Sequence, residues 1–319
     1  MRILVTGGAG YIGSTAVRML IEKGFDVTVL DDLSTGHRDA ISSSATFIEG
    51  SILNPDDVTT ALKECDAVIH FAGKSLVGES VLKPDLYWSV NVEGTRILLD
   101  GMRKAGITRM VFSSSAATYG EPLTTPILET DPTLPTNPYG ATKARIDEML
   151  AVESDHYGLS AISLRYFNVA GALSTSQGWL AERHSPETHL IPNVLRSTQE
   201  NPVSVFGTDW PTSDGTCIRD YVHVVDLIEA HIKALGALNS PTHTIINLGS
   251  GRGYSVFEVI DAASAALARE VHRRKSPRRD GDPAVLVADI SRAKTLLSWV
   301  PTRDIAQMVL DSAHALEII

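Results

Sequence analysis

The chain has 319 residues, 43% of them hydrophobic, and a formal net charge of −10. That composition supplies enough apolar residues for one large core or two smaller ones, and its acidic balance argues against general nucleic-acid binding. Cys65 and Cys217 are too few for a disulfide framework or a cysteine-built metal site, and no apolar run approaches the ~20 residues of a membrane span.

The opening "MRILVT" reads directly as a strand, which leaves no room for a signal peptide. A cytoplasmic protein is expected. Short β-rich runs predict further strands at 26–30, 45–49, 66–72, 109–114 and 160–167, after the first at 2–6. Helices are predicted near 11–23, 54–63, 85–105 and 139–157. Strands apolar on both faces that alternate with helices form a parallel sheet covered on each side. The expected fold class is therefore α/β, a doubly wound Rossmann-type sheet over residues 1–170. From 171 to 319 the texture is more irregular. Helices near 190–200, 224–237, 255–269 and 303–317, with strands in "PVSVFG", "CIRDYVHV" and "TIINLGSG", predict a smaller mixed α/β lobe for the substrate. Some of its segments are expected to return to the first domain.

The first strand runs straight into "TGGAGYIG". Gly7, Gly10 and Gly13 allow a tight turn, close backbone approach to a diphosphate and close helix–strand packing. The helix that follows offers free N–H groups and a positive dipole end. The second strand ends at Asp31 and Asp32, 18 residues after Gly13, where a carboxylate accepts from a ribose diol and repels a 2′-phosphate. NAD is favoured over NADP, and Arg38 is the one nearby cation that argues otherwise. Asp31 also has an ordinary reading as a turn cap.

The fifth strand runs off into "FSSSAATYG", so Ser113, Ser114 and Ser115 fall where open α/β sheets bind ligands. Tyr139 follows Ser115 by 24 residues, and Lys143 lies one helical turn beyond it in "NPYGATK". A phenol with a pKa near ~10 is a poor base at neutral pH. A neighbouring ammonium and an oxidised nicotinamide both favour the phenolate. The sequence thus predicts a Ser–Tyr–Lys set in which Lys143 lowers the pKa of Tyr139.

Through "TGGAGYIG", "HFAG", the Ser–Tyr–Lys set and "RYFNVAG" the chain resembles the extended short-chain dehydrogenase/reductase family. Within it, the nearest likeness is to the branch that epimerises UDP-hexoses at C4, through "FAGKSLVGES", "DGTCIRDYVHV", "NLGSGRGYSV" and "RRDGDPAVLVAD". The resemblance spans nearly the whole chain. It implies a retained NAD, a nucleotide-sugar substrate (a UDP-hexose), a 4-keto intermediate, and a homodimer. Tyr139 would serve as base, Lys143 as its partner, and Ser115 as a contact to O4.

Carried over by position, the resemblance implies cofactor contacts from Gly7, Gly10, Tyr11, Ile12, Gly13, Asp31, Asp32, Leu33, Ser34, Ser51, Ile52, Phe71, Ala72, Gly73, Lys74, Asn91, Ser113, Tyr139, Lys143 and Phe167. For the nucleotide sugar it implies Ser115, Asn168, His189, Leu190, Ser204, Val205, Phe206, Arg219, Tyr221, Arg279, Asp282 and Leu286. Arg219 and Arg279 have the forked donors that clamp a diphosphate. Three positions depart from the family pattern. Ser51 replaces an expected aspartate, Lys74 stands one residue early, and Leu286 is intermediate at a position that varies between bulky and small. Whether N-acetylated sugars fit is therefore left open.

Other readings remain. A 4,6-dehydratase needs an additional acid and base where this chain has Ala116 and Ala117. A different epimerase, a decarboxylase or a reductase of nucleotide sugars shares the same motifs, and a non-catalytic NAD sensor would keep only the glycine turn. The ten histidines are read as carrying no metal site.

Overall fold

The structure is a computed structural model that describes residues 1–279 and 281–319. Asp280, within "RRDGD", lies outside the described residues. The six predicted strands form close to their expected limits as β1 (Arg2–Thr6), β2 (Asp26–Asp31), β3 (Thr46–Glu49), β4 (Ala67–His70), β5 (Arg109–Ser115) and β6 (Ser160–Tyr166). Short strands β7 (Asn168–Ala170), β8 (Leu173–Thr175) and β9 (Gly178–Leu180) follow. The remainder are β10 (Val203–Phe206), β11 (Ile218–His223), β12 (His243–Leu248), β13 (Gly253–Ser255), β14 (Arg273–Ser276) and β15 (Val285–Leu286).

The principal sheet has seven parallel strands in the order β3-β2-β1-β4-β5-β6-β12. The order reverses between β1 and β4, and ligands bind beyond the strand ends at such a switch point. The return of β12 to this sheet, in register from His243↔Ala161 to Leu248↔Tyr166, makes the second half of the chain part of the first core. One face of the sheet is covered by α1 (Tyr11–Glu22) and by helices from later in the chain, whose Leu227, Ala234 and Leu297 join Val17 and Leu20 against it. The other face packs α2 (Pro55–Ala61) and parts of the helices described next.

The predicted helix at 85–105 is broken. After α3 (Val77–Leu82), α4 (Pro84–Tyr87) leads into a π-helical turn over Trp88–Glu93 before α5 (Gly94–Ala105) begins. Such turns concentrate at functional sites, and this one turns Asn91 inward. Its Oδ1 accepts from the Lys74 N–H at 2.7 Å and its Nδ2 donates to the Lys74 carbonyl at 3.0 Å. Helix α6 (Pro138–Tyr157) is fixed at its start by Asn137, whose side chain accepts from the Gly140 N–H, with Pro138 in the first turn.

The remaining helices are α7 (Leu190–Leu195), shorter than predicted, α8 (Val224–Ala237), α9 (Val256–Leu267), α10 (Ser291–Leu297) and α11 (Ile305–Ala315). A second core joins α7, α9 and α11 to β10 and β11 through Val194, Val205, Tyr221, Val259 and Val309. In this lobe β11 pairs with β7, β13 and β15, and β10 pairs with β14.

Candidate active site

A cleft of about 620 Å³ opens at the carboxyl ends of β1, β4, β5 and β6 and continues to the lobe at Asp282 and Leu286. Its floor is the glycine turn. Gly7 has φ +71°, and a Cβ there would stand 2.6 Å from the Ala72 nitrogen. A Cβ on Gly13 would collide with the Gly7 carbonyl, whereas one on Gly10 would meet nothing closer than 3.5 Å. The turn is thus closed toward the sheet and open toward the cleft. Gly10 caps α1 without a side chain, and no acidic residue stands in its first turn. That arrangement fits a dinucleotide diphosphate.

Asp31 takes the capping role and also faces the cleft. Its Oδ2 accepts from the Ala9 N–H at 2.9 Å and its Oδ1 from the Leu33 N–H at 2.8 Å, so it braces the turn while lining the cleft. Burial raises its pKa, against these two bonds. Asp32 is exposed at the rim. Arg38 is engaged elsewhere, paired with Glu49 and stacked 4.9 Å from the Phe47 ring centre.

The alternation of side chains along β5 sorts the three serines. Ser114 donates to Asp147 at 3.1 Å, and Asp147 is held by Arg165 at 2.9 Å. Ser115 caps a short 3₁₀ turn by accepting from the Ala117 N–H and faces Tyr139. The Ser113 carbonyl accepts from Lys143 Nζ at 2.7 Å. Lys143 is 4% exposed, and its Nζ lies 5.8 Å from the centre of the Tyr139 ring. Tyr139 also packs edge-on against Tyr87.

Burial raises the Tyr139 pKa, with only the Ser115 hydroxyl working against it. Burial likewise depresses Lys143 to about 8, partly opposed by Asp147. Desolvation favours the neutral form of each group in the protein without its cofactor.

Most residues implied by the resemblance line the cleft. They are Gly7, Gly10, Tyr11, Ile12, Gly13, Asp31, Asp32, Ser34, Ser51, Ile52, Phe71, Ala72, Gly73, Lys74, Ser113, Ser115, Tyr139, Lys143, Phe167, Asn168, His189, Asp282 and Leu286. Others shape it from behind. Asn91 is buried and holds the backbone around Lys74, so it positions the loop after β4 and does not face the cleft. Leu33, with φ +56°, gives its N–H to Asp31. Tyr221 sits in β11 opposite Asn168, and Leu190 opens α7.

At the lobe end, Arg219 pairs with Asp282 at 3.5 Å and lies opposite Leu286 in the sheet. Arg279 stacks on Phe206 at 3.9 Å. Val205 is buried in the second core, and the Ser204 hydroxyl accepts from Arg274 at 3.0 Å.

Sequence reasoning missed a cluster at the rim. Glu182, His184, Glu187 and His189 bring one donor atom each within 4.8 Å of one another. Its signal was present as the His-x-x-Glu of His184–Glu187. Burial works against both charges, yet bonds from His184 and His189 hold Glu182 down to about 2, and Glu182 and Glu187 hold His189 up to about 10.

A family model described as the NAD dependent epimerase/dehydratase family matches residues 3–249. The chain is 47% identical over 319 residues to the UDP-glucose 4-epimerase of Corynebacterium glutamicum, covering 99% of this chain and 95% of that one. Among solved structures, the UDP-glucose 4-epimerase from Brucella ovis in complex with NAD superposes with a TM-score of 0.93 at 41% identity, covering 98% and 97% of the two chains. That from Bifidobacterium longum, in complex with NAD+ and UDP, gives 0.92 at 34% identity over 100% and 98%.

Proposed function

Because the chain belongs to the NAD dependent epimerase/dehydratase family, we propose that it interconverts UDP-glucose and UDP-galactose by inverting C4 of the sugar. The observation that carries this reading is the Ser115–Tyr139–Lys143 group at the carboxyl end of β5, in one cleft with the glycine turn and with Asp282, the partner of Arg219. Bound NAD supplies an acceptor and donor for the C4 hydride and, when oxidised, a positive charge beside the phenol.

Tyr139 Oη takes the proton of the 4-hydroxyl as C4 gives up its hydride, and returns a proton to O4 when, after the 4-keto sugar has turned, hydride comes back to the opposite face of C4. Ser115 hydrogen-bonds O4 through both steps. Lys143 holds the ribose hydroxyls of the cofactor and, once a positive ring lies beside Tyr139, adds to the stabilisation of the phenolate. Gly10 and the first turn of α1 hold the diphosphate of NAD, and Asp31 its adenine-side ribose. Arg219 and Arg279 clamp the diphosphate of the UDP-sugar, and Asp282 accepts from the uridine ribose. Ala116 and Ala117, next to Ser115, carry no proton-transfer group for eliminating water, so the reaction ends with epimerisation.

The protein is assigned to the cytoplasm, as a homodimer formed through the outer faces of α5 and α6, where Val152 and Tyr157 are exposed. Light scattering coupled to size exclusion tests the dimer. Incubation with UDP-galactose tests the reaction: UDP-glucose forms while no NADH accumulates. Net NADH would make the protein a dehydrogenase and overturn the reading.

A further inference from the structure

The segment between β9 and α7 brings two carboxylates and two imidazoles to one point at the rim of the cleft. Glu182 Oε1 lies 2.8 Å from Nδ1 of both His184 and His189, and Glu187 Oε1 lies 2.9 Å from His189 Nδ1. The imidazole rings are 5.5 Å apart. A second observation is independent of that convergence. Glu187 Oε1 already accepts the N–H groups of Thr188 and His189. Its other oxygen, Oε2, is buried and without a hydrogen-bond partner among the described residues, on a side chain only 7% exposed. A buried carboxylate oxygen left unpaired is costly, and native structures rarely keep one without an ion or another compensation.

We propose that Glu182, His184, Glu187 and His189 form a site for one divalent transition-metal ion of the zinc class. Two imidazole nitrogens with two carboxylate oxygens suit such an ion in tetrahedral geometry, whereas calcium and magnesium take oxygen ligands. Metal–ligand distances of ~2.0–2.2 Å set tetrahedral donors roughly 3.3 Å apart. The present 2.8–2.9 Å contacts therefore open by about half an ångström on binding. Four protein ligands leave no open coordination position, so the ion is structural. It closes residues 182–189 into a loop and fixes where α7 begins. The inference does not rest on the proposed reaction.

Tag-free protein carrying its NAD is stripped with a chelator, desalted, and titrated with Zn²⁺ by calorimetry and with Co²⁺ by visible absorption. The expected result is one ion per chain at about micromolar affinity or tighter, with a tetrahedral Co²⁺ spectrum. His184→Ala and Glu187→Gln should each weaken binding ~10-fold or more. X-ray absorption on the zinc-loaded wild type should find two imidazole nitrogens in the metal shell, which keeps the test decisive if either variant folds poorly. Binding only at millimolar zinc, binding unchanged in the folded variants, or a shell without two imidazoles overturns the proposal.

Discussion

The Lys143 ammonium lies 5.8 Å from the centre of the Tyr139 ring, one helical turn along α6, and burial drives both groups toward their neutral forms. The pair is therefore assembled with a lysine that ionises less readily than usual and a phenol that burial holds in its neutral form. In the proposed mechanism, oxidised cofactor adds a second positive charge beside the phenol.

That relationship has a consequence for stability. Lys143 has a folded pKa of about 8 against an ordinary 10.5. Between those values the unfolded chain binds more protons than the folded one, so the contribution of Lys143 improves as pH rises, is complete above 10.5, and is lost as pH falls through about 8. Comparing melting temperatures of wild type and Lys143→Met at about pH 7 and about pH 9.5 isolates this effect. The gap should move in favour of the wild type at the higher pH. A gap independent of pH would mean that Lys143 is not desolvated.

Arg219 pairs with Asp282 at the lobe end of the cleft. If it clamps the diphosphate, Arg219→Ala removes charged hydrogen bonds of ~1.5–3 kcal/mol from ground and transition states alike, which is ~10–100-fold in affinity. KM for UDP-galactose should rise by about that factor while kcat changes much less, and inhibition by UDP should weaken in parallel. An unchanged KM removes Arg219 from the nucleotide site.

Leu286 lines the cleft on β15, beside Arg219. Leu286→Ala removes three carbons from the wall, and one methylene in such a pocket is worth ~1–3 kcal/mol. The ratio of kcat/KM for UDP-N-acetylgalactosamine over UDP-galactose should rise about 10-fold or more. A ratio that stays constant would place the acyl group against some other wall.

Much of the site was legible because it follows from local rules. The glycine turn between a strand and a helix, and Tyr139 and Lys143 one turn apart, are spacings within single elements. The return of β12 to the first sheet was anticipated only in outline, because no local pattern says which strand a distant segment will pair with. The inward turn of Asn91 was not legible, because a π-helical turn replaces the regular helix that its neighbours suggest. The burial that raises the Tyr139 pKa in the protein without cofactor was not legible, because burial depends on the whole fold. The Glu182–His189 cluster left a His-x-x-Glu spacing in the sequence, but its four residues lie on an aperiodic loop whose convergence no periodicity signals.

The most direct test is Tyr139→Phe, which removes the proton acceptor and leaves the ring packed against Tyr87. Conversion of UDP-galactose to UDP-glucose is measured together with the NAD released on denaturing the purified protein. Turnover should fall by ~10²–10⁴-fold with NAD still retained. Wild-type turnover in a variant that holds its cofactor would contradict the assignment of Tyr139 as the base.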